Sequence, residues 1–138
     1  MEIKTLLEQR GLLIFDGAMG TQLQAKGLKT GETPELLNLT AKDLLKEIHR
    51  SYIDAGADII SANTFGANSY KLSHSGKSVD EIITAGIINC KEAIKESGKD
   101  VFCALDIGPI GQLLEPTGSL KFEEAYDIFK EECPCSSL

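Results

Sequence analysis

The stretch that decides the fold is Leu12–Leu23 (LLIFDGAMGTQL), in which a short apolar run ends at a carboxylate and continues into a turn that contains glycine. Two later stretches follow the same plan, Ile59–Gly66 (IISANTFG) and Val101–Pro109 (VFCALDIGP). A continuous apolar run predicts a strand buried on both faces, and glycine just past its end lets the backbone approach a ligand. The sequence therefore predicts three buried strands that each present a polar group at the carboxyl end.

The segments between these runs carry apolar residues at helical spacing. They predict helices over residues 3–10, 40–55, 79–97 and 122–132, and glycine follows the first three at Gly11, Gly56 and Gly98. Thr40 is the expected N-cap of the second helix, and shorter helical turns are expected at 21–25 and 69–72. Strands that alternate with helices in this way predict one α/β domain with a parallel sheet.

Composition and charge exclude several classes of function. The chain has 138 residues and a formal net charge of -7, and its lysines are scattered among glutamates. A nucleic-acid surface needs clustered Lys and Arg, so no nucleic-acid partner is expected. No apolar run approaches the roughly 20 residues of a membrane span, and the amino end lacks the apolar core of a secretion signal. We therefore expect no membrane partner and a cytoplasmic location.

The cysteines do not form a pattern typical of a metal site. Cys90 lies in a predicted helix and Cys103 in a predicted strand, so both are expected to be small buried hydrophobic residues. Cys133 and Cys135 supply two thiolates, which is fewer than the four ligands of a structural zinc site, and no histidine lies at ligand spacing to them. The residues alone predict no intrinsic metal site.

The two histidines are interpreted as solvent-exposed residues without a catalytic role. His74 lies in a polar loop and His49 lies beside the polar face of the helix that starts at Thr40. The serines have no His or carboxylate partner at a recognisable spacing, so serine nucleophile chemistry is not predicted.

Asp16 is the first candidate for the functional site. Asp-Gly is a common hairpin turn, but the residues after Gly17 do not alternate as a second strand. A dinucleotide-binding turn needs three glycines, and Gly17 and Gly20 are too few. A carboxylate beside the amides of Gly17 and Ala18 suits a zwitterionic amino acid, whose ammonium group would bind Asp16 and whose carboxylate would bind the amides. A simple helix cap by Asp16 remains the alternative.

The ends of the other two predicted strands carry further polar groups. Asn63 and Thr64 follow the second strand, and Asp106 follows the third. Each alone is ordinary for a turn, but parallel neighbouring strands would bring all three to one mouth, where ligands bind in α/β proteins. The acidic groups at the ends of the first and third strands disfavour the further alternative, a small phosphate-binding α/β protein.

Several motifs in order resemble the amino-terminal part of the homocysteine S-methyltransferases, a family that includes the homocysteine-binding module of cobalamin-dependent methionine synthase and the betaine-homocysteine enzymes. The motifs are DGAMGTQL (16–23), Pro34-Glu35 with Asn38, ADIISANTFGAN (57–68) and LDIGP (105–109). The resemblance extends from about residue 3 to about residue 132 and is far more specific than one short pattern.

The resemblance implies a (β/α)8 barrel and zinc-dependent transfer of a methyl group to the thiol of homocysteine, which gives methionine. In this family cysteine thiolates hold the zinc, and zinc binding lets the substrate thiol lose its proton near neutral pH. Cobalamin and methyltetrahydrofolate are implied for the parent protein only. Asp16 and Gly17 match the residues that hold the amino-acid end of homocysteine, Asn63 and Thr64 match contacts on the second strand, and Asp106 lies at the mouth.

The chain also departs from the family pattern. The zinc-binding cysteines of the family lie on later strands, and Cys90 and Cys103 do not occupy their places. We expect residues 1–138 to be a partial barrel domain of about three βα units, with an atypical tail at 133–138, and to lack the zinc ligands. The alternative is a non-catalytic half-barrel that acts only through a complementary chain, since the open edge of a parallel sheet is a template for association, including self-association.

Overall fold

A computed structural model describes residues 2–133. The chain is a mixed α/β structure, and the predicted tail lies outside the described residues except for Cys133. The elements in chain order are α1 (Ile3–Arg10), α2 (Met19–Ala25), a 3-10 turn (Pro34–Leu36), α3 (Leu37–Thr40), α4 (Lys42–Ala55), β1 (Ile59–Ser61), α5 (Val79–Ser97), β2 (Phe102–Ala104) and α6 (Phe122–Glu132). No helix among residues 2–133 is long and apolar enough to cross a membrane.

The strands β1 and β2 pair in parallel, as the sequence predicts. Ile59 lies opposite Phe102, and Ser61 lies opposite Ala104. The long helix α5 connects the two strands and packs against α4, and the amphipathic pattern of both helices buries their apolar faces. The carboxyl ends of β1 and β2 therefore lie side by side, which brings together the loops that follow them.

The first predicted strand is the main difference between the expectation and the structure. Residues 12–15 were expected to be buried on both faces, but Leu12 is 62% exposed and Phe15 is 58% exposed. This segment pairs with β1 only through one parallel bridge, Phe15 to Ile59, although Asp58 fixes its start by an ion pair with Arg10 and by accepting a hydrogen bond from the Ile14 amide. Within residues 2–133 two strands form, not three, and the side chains of this segment stay exposed because no described element covers its outer side.

The predicted glycines do end α4 and α5, whereas the predicted N-cap of α4 differs from the structure. Gly56 and Gly98 end α4 and α5 with positive φ values of 105° and 67°, a conformation that glycine adopts without strain. The expectation that Thr40 caps α4 is wrong. Thr40 is the last residue of α3, and its hydroxyl donates back to the Leu36 carbonyl at 3.3 Å instead of capping the next helix.

The turn at 69–72 is likewise not a helix. The side chain of Asn68 accepts a hydrogen bond from the Lys71 amide at 2.9 Å, which satisfies the backbone in a turn. Leu72 still reaches the core and is 2% exposed. The hydrogen bond to the Asn68 side chain therefore favours a turn over the predicted helix, and Leu72 is buried all the same.

The main core lies between the sheet and helices α4 and α5. Its buried members are Ile53, Ala57, Ile60, Ala62, Ala67, Leu72, Val79, Ile82, Ile83, Ile87 and Cys90, with Cys103 packed against them. The thiol of Cys90 lies 3.9 Å from the carbonyl of Ile60 on the neighbouring strand, and the hydrogen bond with the Cys103 thiol, together with burial, raises the pKa of the Cys90 thiol. The expectation that Cys90 is a buried hydrophobic residue is confirmed, and Cys103 is half-buried.

The burial of His49 also differs from the expectation. This residue was expected to be solvated, but its side chain is fully buried, and neither ring nitrogen has a hydrogen-bond partner among the described residues. Burial lowers the pKa of His49 from 6.5 to about 4. The sequence pattern placed this residue at the edge of the polar face of α4, where the packing of neighbouring helices decides exposure.

The buried neutral imidazole predicts acid-sensitive stability. Because the folded-state pKa lies below that of the unfolded chain, stability is lost as the pH falls below 6.5, by about 1.4 kcal/mol per unit, until it levels off near pH 4. Urea unfolding at pH 7 and pH 5 should therefore show about 2 kcal/mol more loss for the wild type than for a His49→Leu variant. A His74→Leu variant, changed at an exposed loop position, is the control, and equal pH dependence in all three chains would contradict the burial of His49.

Candidate functional site

The residues that the sequence predicted as a site line one cavity. The cavity has a volume of about 180 Å³ and lies at the carboxyl ends of β1 and β2. It is lined by Phe15, Asp16, Gly17, Ala18, Met19, Ser61, Ala62, Asn63, Thr64, Phe65 and Asp106. Pockets for drug-sized ligands measure about 300–1,000 Å³, so this cavity suits a smaller molecule. The structure brings all six predicted residues together, and their role in binding stays a prediction.

Asp16 is held in place by β1. Its amide donates to the Ile59 carbonyl at 2.9 Å, and its carboxylate accepts hydrogen bonds from the amide and the hydroxyl of Ser61 at 2.9 and 3.1 Å. These bonds fix the rotamer of the carboxylate and leave its remaining lone pairs at the cavity wall. Asp16 is therefore a pre-oriented acceptor.

Gly17 and Ala18 form the turn beside that carboxylate. Neither amide donates a hydrogen bond to an acceptor within residues 2–133. The Tyr52 hydroxyl of α4 donates to the Ala18 carbonyl at 3.0 Å, and a Cβ atom at Gly17 would lie 2.9 Å from the Cε1 and Oη atoms of Tyr52. Only glycine lets the turn approach the tyrosine this closely, which keeps two amide donors next to Asp16.

The side-chain amide of Asn63 contacts other described residues through its nitrogen atom. Its Nδ2 atom donates to the Pro34 carbonyl at 2.9 Å and to Oδ1 of Asn38 at 3.0 Å. Its own Oδ1 atom has no donor among the described residues. The side chain is nearly buried, and this oxygen is an acceptor available at the cavity.

Thr64 connects the two strand ends. Its hydroxyl donates to the Asp106 carbonyl at 2.8 Å and accepts from the Asp106 amide at 3.1 Å. The side chain is fully buried, so the hydroxyl is occupied by the loop after β2. Thr64 thereby sets the position of Asp106 at the cavity.

The two carboxylates give the cavity a negative character. Burial raises the pKa of Asp16, the hydrogen bonds from Ser61 oppose this, and the nearby charge of Asp106 raises it further. Burial also raises the pKa of Asp106. Because ionisation of each group is disfavoured, a bound cation would stabilise both charged forms. The cavity therefore favours a ligand with a positively charged group.

A second pocket adjoins the first. It measures about 350 Å³ and its lining is mainly apolar. It shares with the cavity the residues Ala18, Met19, Asn63, Phe65 and Asp106. The Phe65 ring is 52% exposed, and the Lys71 ammonium lies 5.4 Å from its centroid. A polar cavity that opens into an apolar pocket suits an amino acid with an apolar side chain.

Comparison with known proteins decides the family. The model of the homocysteine S-methyltransferase family matches residues 13–136. The chain belongs to this family. This is a family of methyltransferases, and the resemblance that the sequence motifs indicated is confirmed.

Two curated relatives are named methionine synthase. The one from Mycobacterium tuberculosis is 45% identical over 73 residues, which are 49% of this chain and 6% of the relative. The one from Mycobacterium leprae is 47% identical over 68 residues, 45% of this chain and 6% of the relative. This family member thus spans a small part of the length of these relatives.

Two solved structures share its fold. The metallated form of the homocysteine methyltransferase MmuM from Escherichia coli aligns with a TM-score of 0.71 at 22% identity, over 79% of this chain and 42% of that protein. Its oxidised form aligns with a TM-score of 0.68 at 22% identity, over 79% and 41%. The mixed α/β fold of this family member is therefore that of part of a homocysteine methyltransferase.

The described residues do not fit the zinc that the family resemblance implies. Among residues 2–133, no three or more His, Cys, Asp or Glu side chains are close enough to hold a metal ion. Cys90 is buried in the core between α5 and the sheet, and Cys133 is exposed. No step of a mechanism through zinc can be built from these residues.

Several residues at the site were not singled out from the sequence as site residues. Ser61 could have been found, since it is the one polar residue in the apolar run 59–62. Glu35 and Asn38 entered only as part of the family motif, and both are buried, at 5% and 3% exposure. Tyr52 carried no signal, because its apolar ring fits the helical pattern of α4 and its hydroxyl contact depends on the tertiary fold.

Proposed function

We propose that the chain supplies the homocysteine-binding part of a methionine synthase type of homocysteine S-methyltransferase, in which a methyl group is transferred to the homocysteine thiol to form methionine. The observation that carries the proposal is the single cavity that joins Asp16, the free amides of Gly17 and Ala18, and Asp106. The family match and the names of the relatives support the substrate. A (β/α)8 barrel for the complete fold and a cytoplasmic location stay predictions.

Each end of the ligand has a partner in this proposal. The ammonium group of homocysteine binds the Asp16 carboxylate, in a charge-assisted hydrogen bond that is stronger than a neutral one. The substrate carboxylate accepts hydrogen bonds from the amides of Gly17 and Ala18, which are adjacent backbone donors. The side chain then extends along the apolar wall that Met19 and Phe65 provide.

Titration calorimetry of the reduced chain with three thiols tests the proposal. L-homocysteine should bind, and 4-mercaptobutanoate, which lacks the ammonium group, and 3-mercaptopropylamine, which lacks the carboxylate, should each bind at least about ten-fold more weakly, since each loses one charged contact. Equal binding of all three thiols would contradict recognition of the amino-acid end. No heat of binding with millimolar homocysteine would overturn the proposed function.

Metal content is a separate prediction. Because the described residues offer no set of three ligands, the purified 138-residue chain should contain no stoichiometric zinc and show no methyl transfer by itself. In the parent protein, zinc, cobalamin and methyltetrahydrofolate would then depend on other segments. Elemental analysis measures this directly, and one tightly bound zinc ion per chain would contradict it.

The alternative function is a non-catalytic half-barrel that acts by association with a complementary chain. The observation that favours it is the uncovered segment beside β1, where Leu12 and Ile14 are 62% and 53% exposed. Such an edge predicts self-association, and lysine on an edge opposes strand pairing. Sedimentation velocity should show oligomers of the wild type and less association after Leu12→Lys with Ile14→Lys. A monodisperse wild-type monomer would count against this alternative.

A further inference from the structure

The loop after β1 is held from behind by a buried polar network. Its members Glu35, Asn38, Asn63 and Asn89 are each no more than 6% exposed. Buried amides and carboxylates need hydrogen-bond partners, because a buried polar group without a partner is strongly unfavourable. The contacts that Asn38 and Glu35 make with the loop therefore restrict where the loop can lie.

Asn38 is the centre of the network. Its Nδ2 atom donates to the Asn63 carbonyl at 2.8 Å and to the Ile82 carbonyl at 3.1 Å, and its Oδ1 atom accepts from Asn63 Nδ2 at 3.0 Å. Its backbone carbonyl accepts from the Asn89 side chain at 2.9 Å. Both donor hydrogens of the Asn38 amide are used, so one side chain joins α3, the loop after β1 and the first turn of α5.

Gly86 of α5 makes room for this arrangement. A Cβ atom at position 86 would lie 2.8 Å from Asn38 Nδ2 and 3.0 Å from Thr64 Cγ2. The helix therefore approaches both side chains at a distance that only glycine permits. Glycine within a helix is less stable than alanine, so glycine at position 86 is unfavourable for the helix and favourable for the placement of the loop.

The network continues to the cavity through two links. The backbone carbonyl and the side-chain amide of Asn63 both form hydrogen bonds with the Asn38 side chain. Thr64, the next residue in the chain, forms two hydrogen bonds with the backbone of Asp106. On the other side of the loop, Glu35 accepts from the Gly66 amide at 2.6 Å. A displacement of Asn38 would therefore move Asn63 and, through Thr64, the carboxylate of Asp106.

We propose that Asn38 is a positioning residue for the substrate cavity, which sets the loop 63–66 and through it Asp106 while touching no substrate itself. This inference rests on the proposed homocysteine-binding function for its effect on affinity. Its effect on the loop does not depend on that function. Asn38 is thus a support that lies outside the residues that line the cavity.

The test compares Asn38→Ala with Asn89→Ala in the full chain. Both changes remove one buried amide, but Asn89→Ala leaves every bond of the Asn38 side chain in place and controls for general loss of stability. Asn38→Ala should weaken homocysteine binding by about ten-fold or more, since small misplacements of binding groups have large effects, and Asn89→Ala should change it less than about three-fold. Amide hydrogen exchange at Gly66 and Asp106 should accelerate in Asn38→Ala and not in Asn89→Ala.

A second variant guards against failure of Asn38→Ala to fold. Gly86→Ala adds a methyl group against Asn38 and Thr64 and favours the helix, so it should weaken binding without unfolding the chain. Equal effects of the Asn38 and Asn89 changes on exchange at Gly66 and Asp106, or unchanged exchange in Asn38→Ala and Gly86→Ala, would overturn the inference. If the wild type binds no homocysteine, the proposed function fails, and the exchange measurement still decides the role of Asn38.

Discussion

Replacing Asp16 by Asn is expected to weaken homocysteine binding by about ten- to a hundred-fold, because a hydrogen bond to a charged group contributes about 1.5–3 kcal/mol. Asparagine has the same shape as aspartate, and its Oδ1 atom can still accept from the Ser61 amide. The change therefore removes the charge and little else. Calorimetric titration with L-homocysteine at pH 7 measures the effect.

Asp100→Asn is the matched control for that variant. Asp100 is exposed and lies at the opposite end of the sheet, beside Lys99 and Val101. The Asp100→Asn substitution therefore removes one negative charge without changing the cavity. Homocysteine affinity of the wild type should also fall as the pH is lowered through the raised pKa of Asp16, and the Asp16→Asn variant should lack this part of the dependence. Equal homocysteine affinities of the Asp16→Asn and Asp100→Asn variants would show that Asp16 does not bind the ligand.

Replacing Gly17 by Ala is expected to reduce homocysteine affinity by about ten-fold or more, since misplaced binding groups lose much of their effect. The new methyl group would lie 2.9 Å from Cε1 and Oη of Tyr52, so either the turn or the tyrosine must move. Movement of the turn displaces the amides of Gly17 and Ala18 that face the substrate carboxylate. The same calorimetric titration measures the loss.

The cause of this loss can be separated from a general effect of alanine. Gly20→Ala is the control, because a Cβ atom at that position meets nothing within 4 Å. Tyr52→Leu removes the crowding atoms and keeps an apolar side chain, so Gly17→Ala should cost less affinity in the Tyr52→Leu background than in the wild type. Additive losses in the double variant would show that the contact with Tyr52 is not the reason for glycine at position 17.

The site was more predictable from the sequence than the complete set of strands. Asp16, Asn63 and Asp106 each follow an apolar run, and parallel pairing alone brings such positions to one edge. The pattern could not reveal that the hydroxyl of Thr64 is engaged by the backbone of Asp106, because that bond joins residues 42 apart in the chain. It also could not reveal Tyr52 or the bonds of Asn38, for the same reason.

The failures have physical causes that single-sequence patterns do not contain. The run Leu12–Phe15 has the composition of a buried strand, but burial requires a neighbour on its outer side, and within residues 2–133 its side chains remain exposed. His49 is of a residue type common at surfaces, yet helix packing buries it with no hydrogen-bond partner in the described part of the chain. In both cases tertiary contacts, not local preference, set the exposure of the side chain.

Backbone amide NMR maps directly where L-homocysteine binds on the chain. We expect the largest shift changes at Gly17 and Ala18, together with changes at Ser61 and Asp106, and none at Asp100 at the other end of the sheet. Saturable changes confined to residues outside this cavity, or no saturable change at all, would contradict this expectation.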